Sequence, residues 1–196
     1  ANVPARYYCR YPFESPAGLV DTEVEIDLDR TVFLLVDVYG LGHDPGDPVP
    51  ALPALFLKRT HRLQSEIMQH AIRPAIDAAR SVGVPVVYVE NRWHPAAWTG
   101  SEFARLVERT ECGQTGRFDE VYVGTNYNAY SRVVAPEPDD IIVEKTMYDG
   151  FFETTLDTVL RNLKATHLIA VGFSAEICFL TTVIGAMYRN YAVSYT

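Results

Sequence analysis

The chain has 196 residues, 48% of them apolar, and a formal net charge of −8. That is enough apolar material for one domain with a full core, and a second domain is not expected. No run of five like charges and no Lys/Arg-rich stripe occurs, so nucleic acid and anionic membrane are excluded as expected partners.

Three cysteines, Cys9, Cys112 and Cys178, stand far apart, and no C-x-x-C is present. The odd count and wide spacing argue against a disulfide framework or a zinc cage, and for a reducing, cytoplasmic setting. The opening residues, ANVPARYYCRYPFESPAG, lack the apolar segment of a signal peptide. No apolar run reaches the length of a membrane span.

Residues 1–30 are rich in Pro and Tyr and show no periodicity. They are expected to form an ordered arm against the body or a neighbouring subunit, with a single domain over 31–196. TVFLLVDVYG, at 31–40, is a short continuous apolar run ended by Asp and Gly, the pattern of a strand buried on both faces. A Pro- and Gly-rich loop follows. From about Ala54 to Val82 a helical pattern places Leu63, Ile67, Ala71, Ile76 and Ala79 on one stripe, interrupted at Pro74, where a kink or a break is expected. Gly83 stops it.

VPVVYVE (84–90) reads as the second buried strand. Residues 91–139 are mixed, with a short helix expected near 101–109, and so long a connection suggests that it covers a site. DDIIVEK (139–145) reads as the third strand, FFETTLDTVLRNLKA as a helix with Thr154 or Thr155 near its start, and THLIAVGF as the fourth strand. A helix then runs from Cys178 to Asn190. YAVSYT opens a fifth strand, and the domain is expected to continue past it. The alternation predicts an α/β fold: three layers, α-β-α, around a mostly parallel sheet with right-handed crossovers.

In such sheets functional groups gather beyond the carboxyl ends of the strands. Strand one ends in Asp37. Strand two ends in Glu90 and Asn91, followed by Trp93 and His94. Strand three ends in Lys145, followed by Tyr148, and strand four ends in the turn to Cys178. A thiol in the first turn of a helix feels the positive end of the macrodipole, and a nearby Lys145 ammonium would also favour thiolate. Backbone N–H groups at the turn could meet a developing oxyanion, and Asp37 could take the thiol proton. Each residue also has a plainer reading: Cys178 as core packing, Asp37 as a turn cap, Lys145 as a solvated charge. The coincidence of all three at one sheet edge favours chemistry.

LLVDVYG, IIVEKTMYDGFFETTLDTVLR and LIAVGFSAEICFLTT resemble, in this order, motifs of the isochorismatase-like cysteine hydrolases, and the resemblance covers residues 30 to 196. Within that family the likeness of YDGFFETTLDTVLR and ENRWHP is greatest to ureido and carbamoyl hydrolases. It implies a triad of Asp37, Lys145 and Cys178. It also implies a cis peptide at Phe173–Ser174, an oxyanion hole from the Ser174 and Cys178 N–H groups, and a pocket near Asn91, Trp93, Tyr148 and Tyr39. Phe151 and Phe152 read better as core or subunit contacts than as pocket. Two positions depart from the family. Tyr39 stands where Gln is frequent, and Gly42 where an aromatic is usual, which leaves the substrate open. No D-x-H element occurs, and the five histidines are scattered, so neither a catalytic metal nor any cofactor is expected.

The resulting expectation is a metal-independent amidohydrolase for a small linear amide, ureido or carbamoyl compound, working through a thioester. The alternatives are vinyl ether hydrolysis and a non-catalytic binding protein on the same fold. A homo-oligomer, dimer or tetramer, is also expected.

Overall fold

The structure, a computed structural model, describes residues 1–39, 58–92, 95–112 and 129–195. The expected arm is a β-hairpin. Strands β1 (Asn2–Cys9) and β2 (Gly18–Glu25) pair antiparallel, from Asn2 opposite Glu25 to Cys9 opposite Gly18. The amino group and carbonyl of Ala1 both bond to the backbone of Ile26, closing the open end. No period of two is visible in its sequence because Tyr7 and Tyr8 both face solvent.

A 3₁₀ turn, Leu28–Arg30, capped by the Asp27 carboxylate, leads into β3 (Thr31–Val36). Every residue of β3 is buried, as its unbroken apolar run requires. Val32, Leu34 and Val36 face one core; Phe33 and Leu35 face the other.

The helical pattern expected across Pro74 is two helices. Helix α1 (Lys58–Ile67) passes into a π-helical stretch, Met68–Ile72, and then into α2 (Arg73–Ser81). Pro74 lacks an N–H and its ring crowds the preceding turn, and the wider π turn just before it relieves both constraints. The same insertion shifts the first half of the expected stripe, while Ile76 and Ala79 are buried as expected. Leu63, Ile67 and Ala71 lie exposed, and the buried line is Met68, Ile72, Ile76 and Ala79. An added residue in one turn rotates the face by about 100°.

Strand β4 (Val86–Asn91) follows, then a short helix α3 (Pro95–Trp98) that was not anticipated, and α4 (Glu102–Val107), whose N-cap Ser101 accepts from the Ala104 N–H at 3.0 Å. Next come β5 (Ile141–Lys145), α5 (Leu156–Asn162), β6 (His167–Gly172), α6 (Cys178–Tyr188) and β7 (Ala192–Tyr195). Helix α5 starts at Leu156 with Thr155 in the N-cap position, one of the two threonines expected near its start, and the FFET ahead of it is turn. Asp149 and Thr154 side chains bond the local backbone at Phe151, Gly150 and Leu156, which competes with helix formation.

Among the described residues, five parallel strands form one sheet in the order β5-β4-β3-β6-β7. Helix α2 covers one face; α5 and α6 cover the other. This is the three-layer α-β-α fold the alternation predicts. The chain moves outward from β3 through β4 to β5, then jumps back to β6 on the opposite side. That reversal places a crevice at the carboxyl end of β3, between β4 and β6.

Candidate active site

The end of β3 is a tightly made junction. Asp37 extends the ladder by donating its N–H to Val89 O, at 3.0 Å, and then turns into the left-handed region with φ +51°. An aspartate tolerates this better than a bulky residue does. On the other side, β6 ends at Gly172, with φ +147°. A Cβ there would stand 2.0 Å from Val36 O. Only glycine lets β6 pass so close to β3, and Phe173 then donates to that same carbonyl at 2.9 Å. The Phe173–Ser174 peptide is cis, at the position the resemblance implies.

The chain next folds over Ser174. Its carbonyl accepts from both Ile177 N–H and Phe179 N–H, each at 3.1 Å, which sets the first turn of α6 around Cys178. Thr182 anchors that turn from the next one: its hydroxyl donates to Cys178 O at 2.7 Å and accepts from Gly150 N–H at 2.9 Å. The first-turn N–H groups of a helix have no intrahelical acceptors and a positive dipole end behind them.

Lys145 closes β5 and points across β4 to β3. Its side chain is 0% exposed, and its ammonium donates to Asp37 Oδ2 at 2.9 Å, to Asn91 Oδ1 at 2.6 Å and to Met147 O at 3.2 Å. Three donors and three acceptors leave the buried charge fully bonded. Asn91 Nδ2 reaches back to Asp37 Oδ2 at 3.5 Å, and Tyr39 donates its hydroxyl to Asp37 Oδ1 at 2.7 Å.

Cys178 faces this pair and is 9% exposed. Burial pushes its thiol up, the charge of Asp37 pushes it further, and Lys145 opposes both. The expected pull of Lys145 toward thiolate is present, but burial and the charge of Asp37 act against it.

The structure thus brings Asp37, Lys145, Cys178 and Ser174 to one rim. Of the four residues expected to line the pocket, Asn91 and Tyr39 turn toward the Asp37–Lys145 pair. Tyr148 is half-buried and packs edge-on against Phe103, with ring centroids 4.8 Å apart; Phe103 in turn packs on buried Trp98 at 4.7 Å. Trp93 and Gly42 lie outside the described residues. Phe151 is buried in the core, as preferred, and Phe152 is half exposed. The contributions of Met147 O, Thr182 and Gly172 went unread. Gly172 alone left a signal, as a glycine closing an otherwise apolar strand. Among the described residues, no three His, Cys, Asp or Glu side chains stand close enough together to hold a metal ion.

The family model for the isochorismatase domain matches residues 56–195. The chain belongs to the isochorismatase family. Among its curated relatives is a ureidoacrylate amidohydrolase RutB of Methylobacterium radiotolerans, 26% identical over 92% of this chain and 76% of that protein. Another, of Rhizobium rhizogenes, is 31% identical over 61% of this chain and 52% of its own length. With several of these family members the chain spans only about half of the relative's length. Among solved structures, a cysteine hydrolase from Pseudomonas syringae pv. phaseolicola 1448A superposes with a TM-score of 0.68 at 27% identity, over 87% of this chain and 71% of that one. The N-carbamoylsarcosine amidase of Thermoplasma acidophilum shares the family fold, with a TM-score of 0.62 at 23% identity over 85% and 81% of the two chains.

Proposed function

We propose that this isochorismatase-family chain is an amidohydrolase that cleaves a C–N bond of a small linear amide, ureido or carbamoyl compound through a thioester on Cys178, without a metal. The observation that carries the reading is the buried contact of Lys145 Nζ with Asp37 Oδ2, 2.9 Å, facing a thiol in the first turn of α6. Asp37 takes the thiol proton as the sulfur attacks the carbonyl carbon. The oxyanion is met by the N–H groups of Ser174 and Cys178. Asp37 passes its proton to the departing ammonia or amine, the C–N bond breaks, and a thioester remains. Water then attacks that thioester, giving its proton to the same carboxylate, and the acid product leaves as the thiol re-forms. Lys145 keeps Asp37 in place throughout. A thiol pushed up by burial needs a base, and this carboxylate lies beside it.

The names of the curated relatives support the ureido class, and the likeness to a cysteine hydrolase supports the sulfur as nucleophile. The test is ammonia release from a panel of ureas, carbamates and primary amides, with mass spectrometry of the quenched enzyme. Turnover with an acyl adduct on Cys178 is expected, and its loss in Cys178→Ala. No turnover across the panel, or full activity in Cys178→Ala, overturns the reading. Turnover of an enol ether with no adduct would assign vinyl ether hydrolysis instead.

We also infer that the chain forms a homo-oligomer in solution. Tyr7, Tyr8, Tyr11, Phe13 and Leu19 of the hairpin are each more than half exposed. A two-stranded ribbon in water is marginal on its own, and a second copy laid on those rings would cover them. A monomeric mass by light scattering overturns this.

A further inference from the structure

The two oxygens of Asp37 are held by different elements. Oδ2 belongs to β5 and β4, through Lys145 and Asn91. Oδ1 belongs to Tyr39, whose hydroxyl donates to it at 2.7 Å. The phenol oxygen also accepts the backbone N–H of Asn91, the last residue of β4. Tyr39 is fixed from its main chain as well, by an isolated antiparallel bridge to Tyr130. Its one hydroxyl proton is therefore spent on the carboxylate, and an oxygen lone pair on β4.

We propose that Tyr39 is a positioning residue for Asp37, one that acts through the carboxylate and not on the substrate. The inference rests on the amidohydrolase reading and deepens it. Without the phenol, Oδ1 loses a donor, and the carboxylate keeps only the contacts on its other oxygen, so it can swing about χ2. Tyr39 thereby keeps Asp37 aimed at the sulfur and the leaving amine as the proton moves between them. Burial, and then the charge of Asp37, push the phenol well above its ordinary range, so it remains a donor across any assay pH. Among the described residues, the charged and titratable groups around the Asp37–Tyr39 pair are Lys145 from β5, Glu90 from β4, Cys178 from α6 and Tyr130 across the bridge.

The decisive variant is Tyr39→Phe, which removes one oxygen. Expected is a fall in kcat of roughly tenfold with KM nearly unchanged. Tyr39→Gln, whose amide can both donate to Asp37 and accept from Asn91, is expected to recover part of the loss. It also serves as the test should Tyr39→Phe not fold. A rise in KM with kcat intact would make Tyr39 a substrate contact and overturn the proposal, as would unchanged kinetics. A second readout needs no turnover: iodoacetamide alkylation of Cys178 against pH. Its profile is expected to move in Tyr39→Phe, and coincident profiles overturn the proposal. If the wild-type chain hydrolyses nothing, the amidohydrolase reading fails, while alkylation still reports on the Tyr39–Asp37 bond.

Discussion

Lys145 and Asp37 sit on strands that are not neighbours, yet their charges stand 2.9 Å apart, with β4 and its Asn91 bridging the gap. Both charges are buried, so each is the main compensation for the other. Asp37→Asn leaves an ammonium without its counterion, and Lys145→Met leaves a carboxylate without one. Each single variant is expected to lose about 3–5 kcal/mol of stability, and the double variant less than the sum. Urea denaturation of the three variants checks this. Additive losses would mean that the pair is not coupled.

Because the Cys178 thiol is pushed up by burial first and by Asp37 second, iodoacetamide near neutral pH should label it more slowly than free cysteine. Linkage gives a second outcome. A thiol raised in the folded state contributes stability below the ordinary cysteine range, and that contribution is lost as pH climbs above about 8.5. Tyr191 adds to the same trend at higher pH; burial, ahead of its bond to Asp157, pushes its phenol up to about 12. Thermal melts at rising alkaline pH are expected to fall, and to fall less between about pH 8.5 and 10 in Cys178→Ala.

Gly172→Ala places a methyl group 2.0 Å from Val36 O at a φ of +147°. Neither the strand nor the carbonyl can give way without parting β6 from β3. The expected cost is about 3 kcal/mol or more, read as a lower urea midpoint, with activity lost beyond what the stability change explains.

Thr182→Val keeps the shape of the side chain but removes its hydroxyl. Gly150 N–H then loses a buried acceptor, and Cys178 O loses the shorter of its two hydroxyl bonds, keeping only that of Thr181. A stability loss of about 1–3 kcal/mol is expected, with kcat reduced more than KM is raised. Equilibrium unfolding and steady-state kinetics on the same preparation test both.

Strands were the legible part of this sequence. Continuous apolar runs such as TVFLLV and VVYVE can bury both faces only in a covered parallel sheet, so the layers and the carboxyl-edge rim followed. Asp37, Asn91 and Lys145 at the strand ends, and Cys178 at the start of the helix after β6, were legible for the same reason. The π turn at Met68–Ile72 was not, because one inserted residue changes which side chains face inward while leaving the pattern helical on either side. The hairpin was hidden by paired tyrosines that both face outward. The partners of Asn91 and Tyr39 depend on how a strand end turns, here through the left-handed backbone of Asp37, and periodicity carries no information about that.

The ammonium comes from β5 and the sulfur from beyond β6, on opposite sides of the strand that supplies the carboxylate. A slip of one residue in any of these three pairings would turn a reacting group to the wrong face. Turnover can therefore serve as a folding assay: half-assembled or misregistered sheets are catalytically silent, so the appearance of activity during refolding should lag behind the recovery of helix and strand signals, and coincide with the last pairing to lock.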